Sequence, residues 1–359
     1  MAACQENSPW HREDNVAEHT MMVYRFYRDN LMSSRSERQQ VLTFLAIMFH
    51  DTGKPAAKIE KYREDRGNYF IFAGHEQISA RLWEDYAVSN WNFIEQIFPC
   101  LVFHDIFKIG FIIENHLPFI KANQKMLIKM RTAINYTLGS DEEISYFDCL
   151  ESDQHGRISD NQEEKLKHFH EWRIAFEKIK PEQLDSIFEH EKFLYLLVGA
   201  SGSGKSTFTN MNSDGIGVFS LDTCRLEFAK TKIENWEQLD DIEFYRQAFS
   251  IAIENQSQFN NFAEKEFKYI LSKFNHVISD NTNVSRRSRY KWSVMAHSKG
   301  FKVVAILFPI DRMTLLERMK TRIDKRVPEE AVMRQWNQIS YPRIGDDVDF
   351  VIVFNCNKK

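Results

Sequence analysis

The sequence predicts two domains, an all-α helical bundle followed by an α/β domain built on a parallel sheet with a helical lid. Three observations predict this. The chain has 359 residues, and domains typically run to roughly 100–200 residues each. Through about the first 180 residues, apolar side chains recur at helical spacing with little Gly or Pro between them. Beyond Lys178–Lys192 the pattern changes to short apolar runs of strand length alternating with helical stretches, which is how a parallel α/β sheet reads.

In the first part, Val41, Leu42, Leu45, Ala46, Met48 and Phe49 form a broad apolar face at i, i+3, i+4 spacing, and similar patterns recur near 16–31, 75–88, 124–138 and 161–178. The segment Lys178–Lys192 carries a proline and many charges and reads as the linker, giving expected domains 1–182 and 190–359. The strand-length runs are FLYLLVGA, IGVFSLD, HVISDN, FKVVAILF and VDFVIVF.

Composition narrows the function classes. The chain has 47 Lys+Arg against 51 Asp+Glu, a net charge of −4, so it is not a uniformly basic nucleic-acid coat; affinity for a polyanion must come from local patches. Aromatic residues make up 13%, including 29 Phe, which excludes a disordered chain. Cys4, Cys100, Cys149, Cys224 and Cys356 are scattered, without metal-ligand spacing, and read as thiols of a reducing compartment. MAACQENSPW has no leader-like pattern. The greasiest runs, Val41–Phe49 and Phe193–Val198, fall well short of the ~20 residues that span a bilayer. The expectation is a soluble, cytoplasmic protein with no membrane partner.

The second domain opens on chemistry. Gly199-Ala-Ser201-Gly202-Ser203-Gly204-Lys205-Ser206-Thr207 matches G-x-x-x-x-G-K-[ST] directly after an apolar strand. Its glycines let main-chain N–H groups curl around phosphate oxygens, Lys205 reaches the β- and γ-phosphates, and the Ser206 hydroxyl suits Mg²⁺. The implied ligand is ATP or another NTP with Mg²⁺. Asp222, after the next strand, is placed to take a proton from an attacking hydroxyl, and Arg225, one turn on, to hold an acceptor phosphate; a helix-capping Asp beside a surface Arg is the plainer reading of the pair. Asp280, at the end of the third strand, is placed for a Mg²⁺ water. The basic run Arg286–Lys291 is either a face for a nucleic-acid backbone or a solvated helix face. Arg318, Lys320, Arg322, Lys325 and Arg326, before Val327-Pro328, suit a lid closing on the γ-phosphate.

Taken together, GASGSGKST, the D-x-x-R element Asp222/Arg225, SDNTN and the Arg-rich stretch ending in VP resemble the 5′-OH polynucleotide kinases over most of residues 193–340. The resemblance implies that Asp222 is the general base and that Arg225 grips the acceptor's 3′ phosphate. It also implies a lid arginine, best matched by Arg322, with Arg326 and Arg318 less well placed.

The helical domain has its own pattern. His19, His50-Asp51, His75, His116 and Asp153 occur in distinctive contexts, and imidazole and carboxylate are ligands of choice for Mn, Fe, Co, Ni or Zn. With Asp51 bridging, one metal takes His19, His50 and Asp153 and a second takes His75 and His116, an arrangement that activates a hydroxide and clamps a phosphate. The order H…HD…H…H…D resembles the HD phosphohydrolase superfamily, with HDTGK, GHEQISA and SDQHGR its most specific segments; GHEQISA is similar to the HD domains of some tRNA nucleotidyltransferases. That likeness implies that Lys54 lies near the phosphate, as does Arg157. His104 and His155 fall outside the pattern, and His11 is a further substrate-contact candidate.

The two motifs in this order resemble the bacterial HD-Pnk end-healing enzymes. The implied activities are removal of 2′,3′-cyclic, 2′- or 3′-phosphates by a domain using Mn²⁺, Co²⁺, Ni²⁺ or Zn²⁺, and Mg²⁺-dependent phosphorylation of 5′-OH ends. The implied partners are RNA or DNA ends, with a separate ligase acting downstream. The alternative is an enzyme of nucleotide metabolism that joins a nucleotide phosphohydrolase to a small-molecule kinase.

Overall fold

The structure is a computed structural model and describes residues 1, 4–5, 15–64, 67–117, 122–159, 162–184, 190–321 and 327–354. The chain divides into two compact units, Met1–Gln183 and Leu184–Lys359. Among the described residues no helix is long and apolar enough to cross a membrane.

The first unit contains α1 (Val16–Asn30), α2 (Glu37–Phe49), the single turn α3 (Lys54–Ala57), β1 (Ile59–Arg63), β2 (Gly67–Ile71), α4 (His75–Ser89), α5 (Trp91–Ile97), α6 (Asp105–Glu114), α7 (Gln124–Leu138), α8 (Glu143–His155) and α9 (Gln162–Glu177). Helix starts are set by polar caps. The Asn15 side chain accepts from the Ala17 and Glu18 amides, and Ser36 and Gln39 form a reciprocal capping box at α2. The core is built from Val16, Val23, Leu42, Ala46, Trp83, Ile109, Phe111 and Phe147, all essentially inaccessible. Each of the Val, Leu, Ile and Phe side chains among them contributes about 1.5–3 kcal/mol by leaving water.

One expectation needs correction here. The unit is not all-α, because β1 and β2 form an antiparallel hairpin between the HD motif and His75. Its strands read Ile-Glu-Lys-Tyr-Arg and Gly-Asn-Tyr-Phe-Ile, and β1 is exposed throughout. Charged residues on a solvated strand hide the alternation that marks a half-buried one.

The second unit contains β3 (Phe193–Val198), α10 (Lys205–Asn212), β4 (Gly217–Phe219), α11 (Leu221–Lys230), α12 (Asp241–Glu254), α13 (Gln256–Lys273), β5 (His276–Ser279), α14 (Arg286–His297), β6 (Lys302–Leu307), α15 (Arg312–Thr321), α16 (Glu329–Asn337) and β7 (Phe350–Val353). The strands form one parallel sheet in the order β4-β5-β3-β6-β7. Leu197, Ile278, Val304, Ile306 and Phe308 pack its core. The chain first moves to one side of β3 and then returns to the other. Ligands of open α/β sheets bind at such a reversal, beyond the carboxyl ends of the strands, and the loop after β3 lies there.

Candidate active sites

The six metal-ligand candidates of the first unit converge. His19 lies on α1, His50 and Asp51 directly follow α2, His75 opens α4, His116 follows α6, and Asp153 lies in the last turn of α8. All are buried. Asp51 divides the cluster. Its Oδ2 is 3.3 Å from His19 Nε2 and 3.2 Å from His50 Nε2, whereas its Oδ1 is 3.1 Å from His75 Nε2 and 3.8 Å from His116 Nε2. Two ligand groups result, His19–His50–Asp153 and Asp51–His75–His116, the donor atoms of each lying within 4.8 Å of one another.

Local main-chain geometry sets the histidine tautomers. The Nδ1 atoms of His50, His75 and His116 each lie 2.7 Å from a carbonyl oxygen three residues back, of Ile47, Phe72 and Ile113 respectively. A carbonyl only accepts, so each Nδ1 carries the proton and each Nε2 turns a lone pair into the cluster. The His19 and His50 Nε2 atoms are 3.4 Å apart. Two nitrogens that close, beside the buried carboxylates Asp51 and Asp153, form a donor set that fits a divalent transition metal.

The electrostatics agree with that donor set. Burial opposes ionisation of Asp51, but His50 and the Lys54 ammonium beside it outweigh that and hold the carboxyl well below its usual range. Burial likewise opposes Asp153, which Arg157 and His19 hold well below its usual range. Burial, reinforced by His50 and His75, pushes His116 down to about 3, keeping it a neutral ligand. Lys54 Nζ is 2.8 Å from Asp51 Oδ2, and Arg157 pairs with Asp153, so both cations stand at the cluster. His104 and His155 lie apart from it; the His155 ring stacks on Phe26 with centroids 4.2 Å apart. His11 lies outside the described residues.

In the second unit the phosphate loop joins β3 to α10. Gly204 has φ +104°, and Gly202 has φ +91° with the side chains of Leu315 and Met319 so close that a Cβ would come within 3.1–3.2 Å of them. Any larger residue would strain this turn. Lys205 is buried and donates to the carbonyls of Gly199 and Ala200 at 2.9 and 2.8 Å, which holds its ammonium over the loop. Ser206 and Thr207 are exposed at the start of α10, and Ser201 and Ser203 lie within the loop.

The SDNTN segment fastens the neighbouring pieces together. The Gly199 amide donates to Thr282 O at 3.0 Å, Asn283 donates to Leu197 O at 3.1 Å, and Asn281 Oδ1 accepts from the Leu221 amide at 2.7 Å. That last bond seats the first turn of α11, which carries Asp222 and Arg225. Arg225 Nη1 donates to Asp222 Oδ1 at 2.6 Å, and the Tyr245 hydroxyl approaches the same oxygen at 3.4 Å. Asp280 follows β5, half-buried, and its amide donates to Phe219 O at 2.9 Å.

A cavity of about 560 Å³ begins at Leu221 and Arg225, the residues flanking Asp222 in sequence and one turn on. Phe249 and Phe259 wall it, and Arg287 and Lys291 add two more cations. The Arg225 guanidinium lies 5.1 Å from the Phe249 ring centroid and 5.7 Å from that of Phe259. An anionic, partly apolar ligand suits this lining.

The basic run is therefore divided in role. Arg287 and Lys291 reach the cavity, but Arg289 is fully buried, donating to Asp347 at 2.6 Å and to the carbonyls of Asn283 and Val284. Arg286 pairs with Asp346. The run is thus neither a backbone-binding face throughout nor a wholly solvated one, because helical spacing turns successive arginines to different sides. Of the lid candidates, Arg318 is half-buried on α15, whereas Arg322 and Arg326 lie outside the described residues.

Several residues at the site lack a motif in the sequence. Tyr245 and Phe249 come from α12, Phe259 from α13, and Gln335 from α16, where its Oε1 accepts from the Ser201 amide of the phosphate loop at 2.9 Å.

Comparison with known proteins places the second unit. Residues 194–342 match the family described as AAA domain. A gluconokinase from Sinorhizobium meliloti 1021 shares 18% identity, with 46% of this chain and 84% of that chain covered and a TM-score of 0.28. A structure described as that of a kinase from Chloroflexus aurantiacus j-10-fl shares 14% identity over 46% of this chain and 86% of that chain, with a TM-score of 0.30. No curated protein matches the chain. The match over residues 194–342 makes the C-terminal unit similar to that AAA family, and the phosphate loop after β3 agrees with the likeness.

Proposed function

We propose that the chain heals broken nucleic-acid ends with two activities. The helical unit is an HD-type phosphoesterase that removes 2′,3′-cyclic, 2′- or 3′-phosphates, and the α/β unit is a polynucleotide kinase that moves the γ-phosphate of an NTP to a 5′-OH. One observation carries the reading: a buried His/Asp cluster divided about Asp51 shares a chain with a phosphate loop and an Asp222–Arg225 pair beside a three-cation cavity.

In the kinase, Asp222 accepts the proton of the 5′-hydroxyl as its oxygen bonds to the γ-phosphorus, and the bond to the β-phosphate oxygen breaks to leave the nucleoside diphosphate. Lys205 neutralises charge on the transferring group. Ser206 and Asp280 are the residues that would hold Mg²⁺. Arg225, with Arg287 and Lys291, holds phosphate of the acceptor, and Phe249 and Phe259 pack on its apolar parts. Tyr245 orients Asp222.

In the helical unit, His19, His50, Asp51, His75, His116 and Asp153 would hold the metals. Bound there, divalent metals supply a hydroxide at neutral pH and a clamp for phosphate oxygens. The anchored Nδ1–H groups keep the Nε2 lone pairs directed inward, and Lys54 and Arg157 bring positive charge to the phosphate.

The cavity volume also suits a free nucleoside, which keeps the nucleotide-metabolism reading in play. Labelled ATP offered to an equimolar mixture of a 5′-OH oligonucleotide and nucleosides separates the two. End healing predicts label in the oligonucleotide; label mainly in nucleosides rejects it.

A further inference from the structure

The β1–β2 hairpin has no role in the two mechanisms above, and burial does not explain its composition. β1 is exposed along its length and Tyr62 is 69% exposed. Residues 54–64 carry Lys54, Lys58, Lys61 and Arg63 against Glu60 and Glu64, in a chain of net charge −4. Opposite residues of an antiparallel pair share a face. The register Glu60↔Phe70 and Tyr62↔Asn68 therefore puts Tyr62 and Phe70 on one face.

That face starts at the metal-ligand cluster. Lys54 Nζ, 2.8 Å from Asp51 Oδ2, lies 5.6 Å from the Phe72 ring centroid. Lys58 Nζ sits 3.6 Å over the Phe70 ring, and Glu60 and then Tyr62 follow on the same face of the strand. Two ammonium–ring pairs, Lys54 with Phe72 and Lys58 with Phe70, thus precede Tyr62 outward from the cluster, with residues two apart on the strand separated by about 6.7 Å. Stacked rings with interleaved cations are how single-stranded nucleic acid is held without sequence preference. Glu60 is the one carboxylate in this strip among residues 58–63.

We propose that this hairpin face is a track for the 3′-terminal nucleotides of a single-stranded RNA, leading its end to the Asp51 cluster. Bases stack on Tyr62 and Phe70, and Lys58 contacts the backbone. The track rests on the phosphoesterase reading only for what happens to the end once it arrives.

The test uses the full chain and a fluorescent single-stranded RNA ten-mer bearing a 5′-phosphate, so that no 5′-OH acceptor is offered. Anisotropy compares wild type with the double variant Lys58→Gln/Tyr62→Ala, with Tyr62→Phe, and with Lys125→Gln, which removes an exposed charge at α7. The expected result is about ten-fold weaker binding by the double variant and a salt dependence shallower by about one ion, with Tyr62→Phe and Lys125→Gln close to wild type. The ratio of oligonucleotide to nucleoside 2′,3′-cyclic phosphate turnover should fall by a similar factor. Unchanged affinity in the double variant, an equal loss in Lys125→Gln, or no strand binding by wild type would overturn the track. A wild type that binds the strand through the hairpin but releases no phosphate from either substrate upholds the track and rejects the phosphoesterase activity instead.

Discussion

Replacing Asp222 with Asn is the sharpest perturbation of the proposed kinase site, since it removes the proposed base and little else. The amide keeps an oxygen for the 2.6 Å bond from Arg225, and Arg225 keeps its ring contacts to Phe249 and Phe259. Acceptor binding through Arg225, Arg287 and Lys291 should persist, so KM for a 5′-OH oligonucleotide should stay within about three-fold. The turnover number should drop by about 10²–10⁴, the usual contribution of a positioned general base, or about 3–5 kcal/mol of barrier. Stability should change by less than about 1 kcal/mol, because the Asp222 side chain is 35% exposed and its ion pair is partly screened. Label transfer from γ-labelled ATP at several oligonucleotide concentrations gives kcat and KM separately. A fall in kcat of less than three-fold, or a loss that lies entirely in KM, would show that Asp222 binds rather than catalyses.

Three further expectations follow from the same structure. Arg289→Ala leaves Asp347 buried without its cation, and should destabilise the α/β unit by about 3–5 kcal/mol in urea unfolding; a wild-type transition would place Arg289 on the surface. Burial, with Glu114 adding to it and Arg81 opposing, raises Glu84 from 4.5 to about 7, so the folded protein binds an extra proton between those values and loses stability as pH rises through them. Glu84→Gln should therefore match wild type in stability near pH 4.5 and exceed it by about 3 kcal/mol at pH 8, with a pH-independent difference counting against this assignment. Finally, chelation should abolish phosphate release while Mn²⁺ restores it. His50→Ala should lower bound metal, measured by elemental analysis of the dialysed protein; full metal content in that variant would remove His50 from the ligand set.

Much of the architecture is legible in the sequence where one face of an element is wet. α1, α2, α4, α7 and α9 show helical periodicity because each has a solvated side. α6 escapes that test, since eight of its ten residues are buried and no polar face remains to set a period. α8 escapes it for the opposite reason: its buried face includes Asp148, Ser152 and Asp153. The five sheet strands are clear from short apolar runs, whereas the charged, solvated hairpin is not.

The sites divide in the same way. The phosphate loop and the HD motif are local, so their residues announce themselves at fixed spacing. His19 and Asp153 lie 134 positions apart, yet approach to 3.1 Å, and only the wider pattern of histidines points to them. Tyr245, Phe249 and Gln335 have no such pattern. They are ordinary helix residues brought to the candidate site by what α12 and α16 pack against. Arg289 shows the reverse, a residue that looks like part of a binding run and is a buried structural cation.

The most direct measurement uses one RNA with a 5′-OH and a 2′,3′-cyclic phosphate, incubated with ATP, Mg²⁺ and Mn²⁺, with both ends read in the same reaction. Wild type should leave a 5′-phosphate and a 3′ end free of phosphate. Asp222→Asn should heal only the 3′ end, and His50→Ala only the 5′ end. Loss of both activities in either folded variant, or an RNA left unaltered by wild type, would contradict two independent end-healing sites.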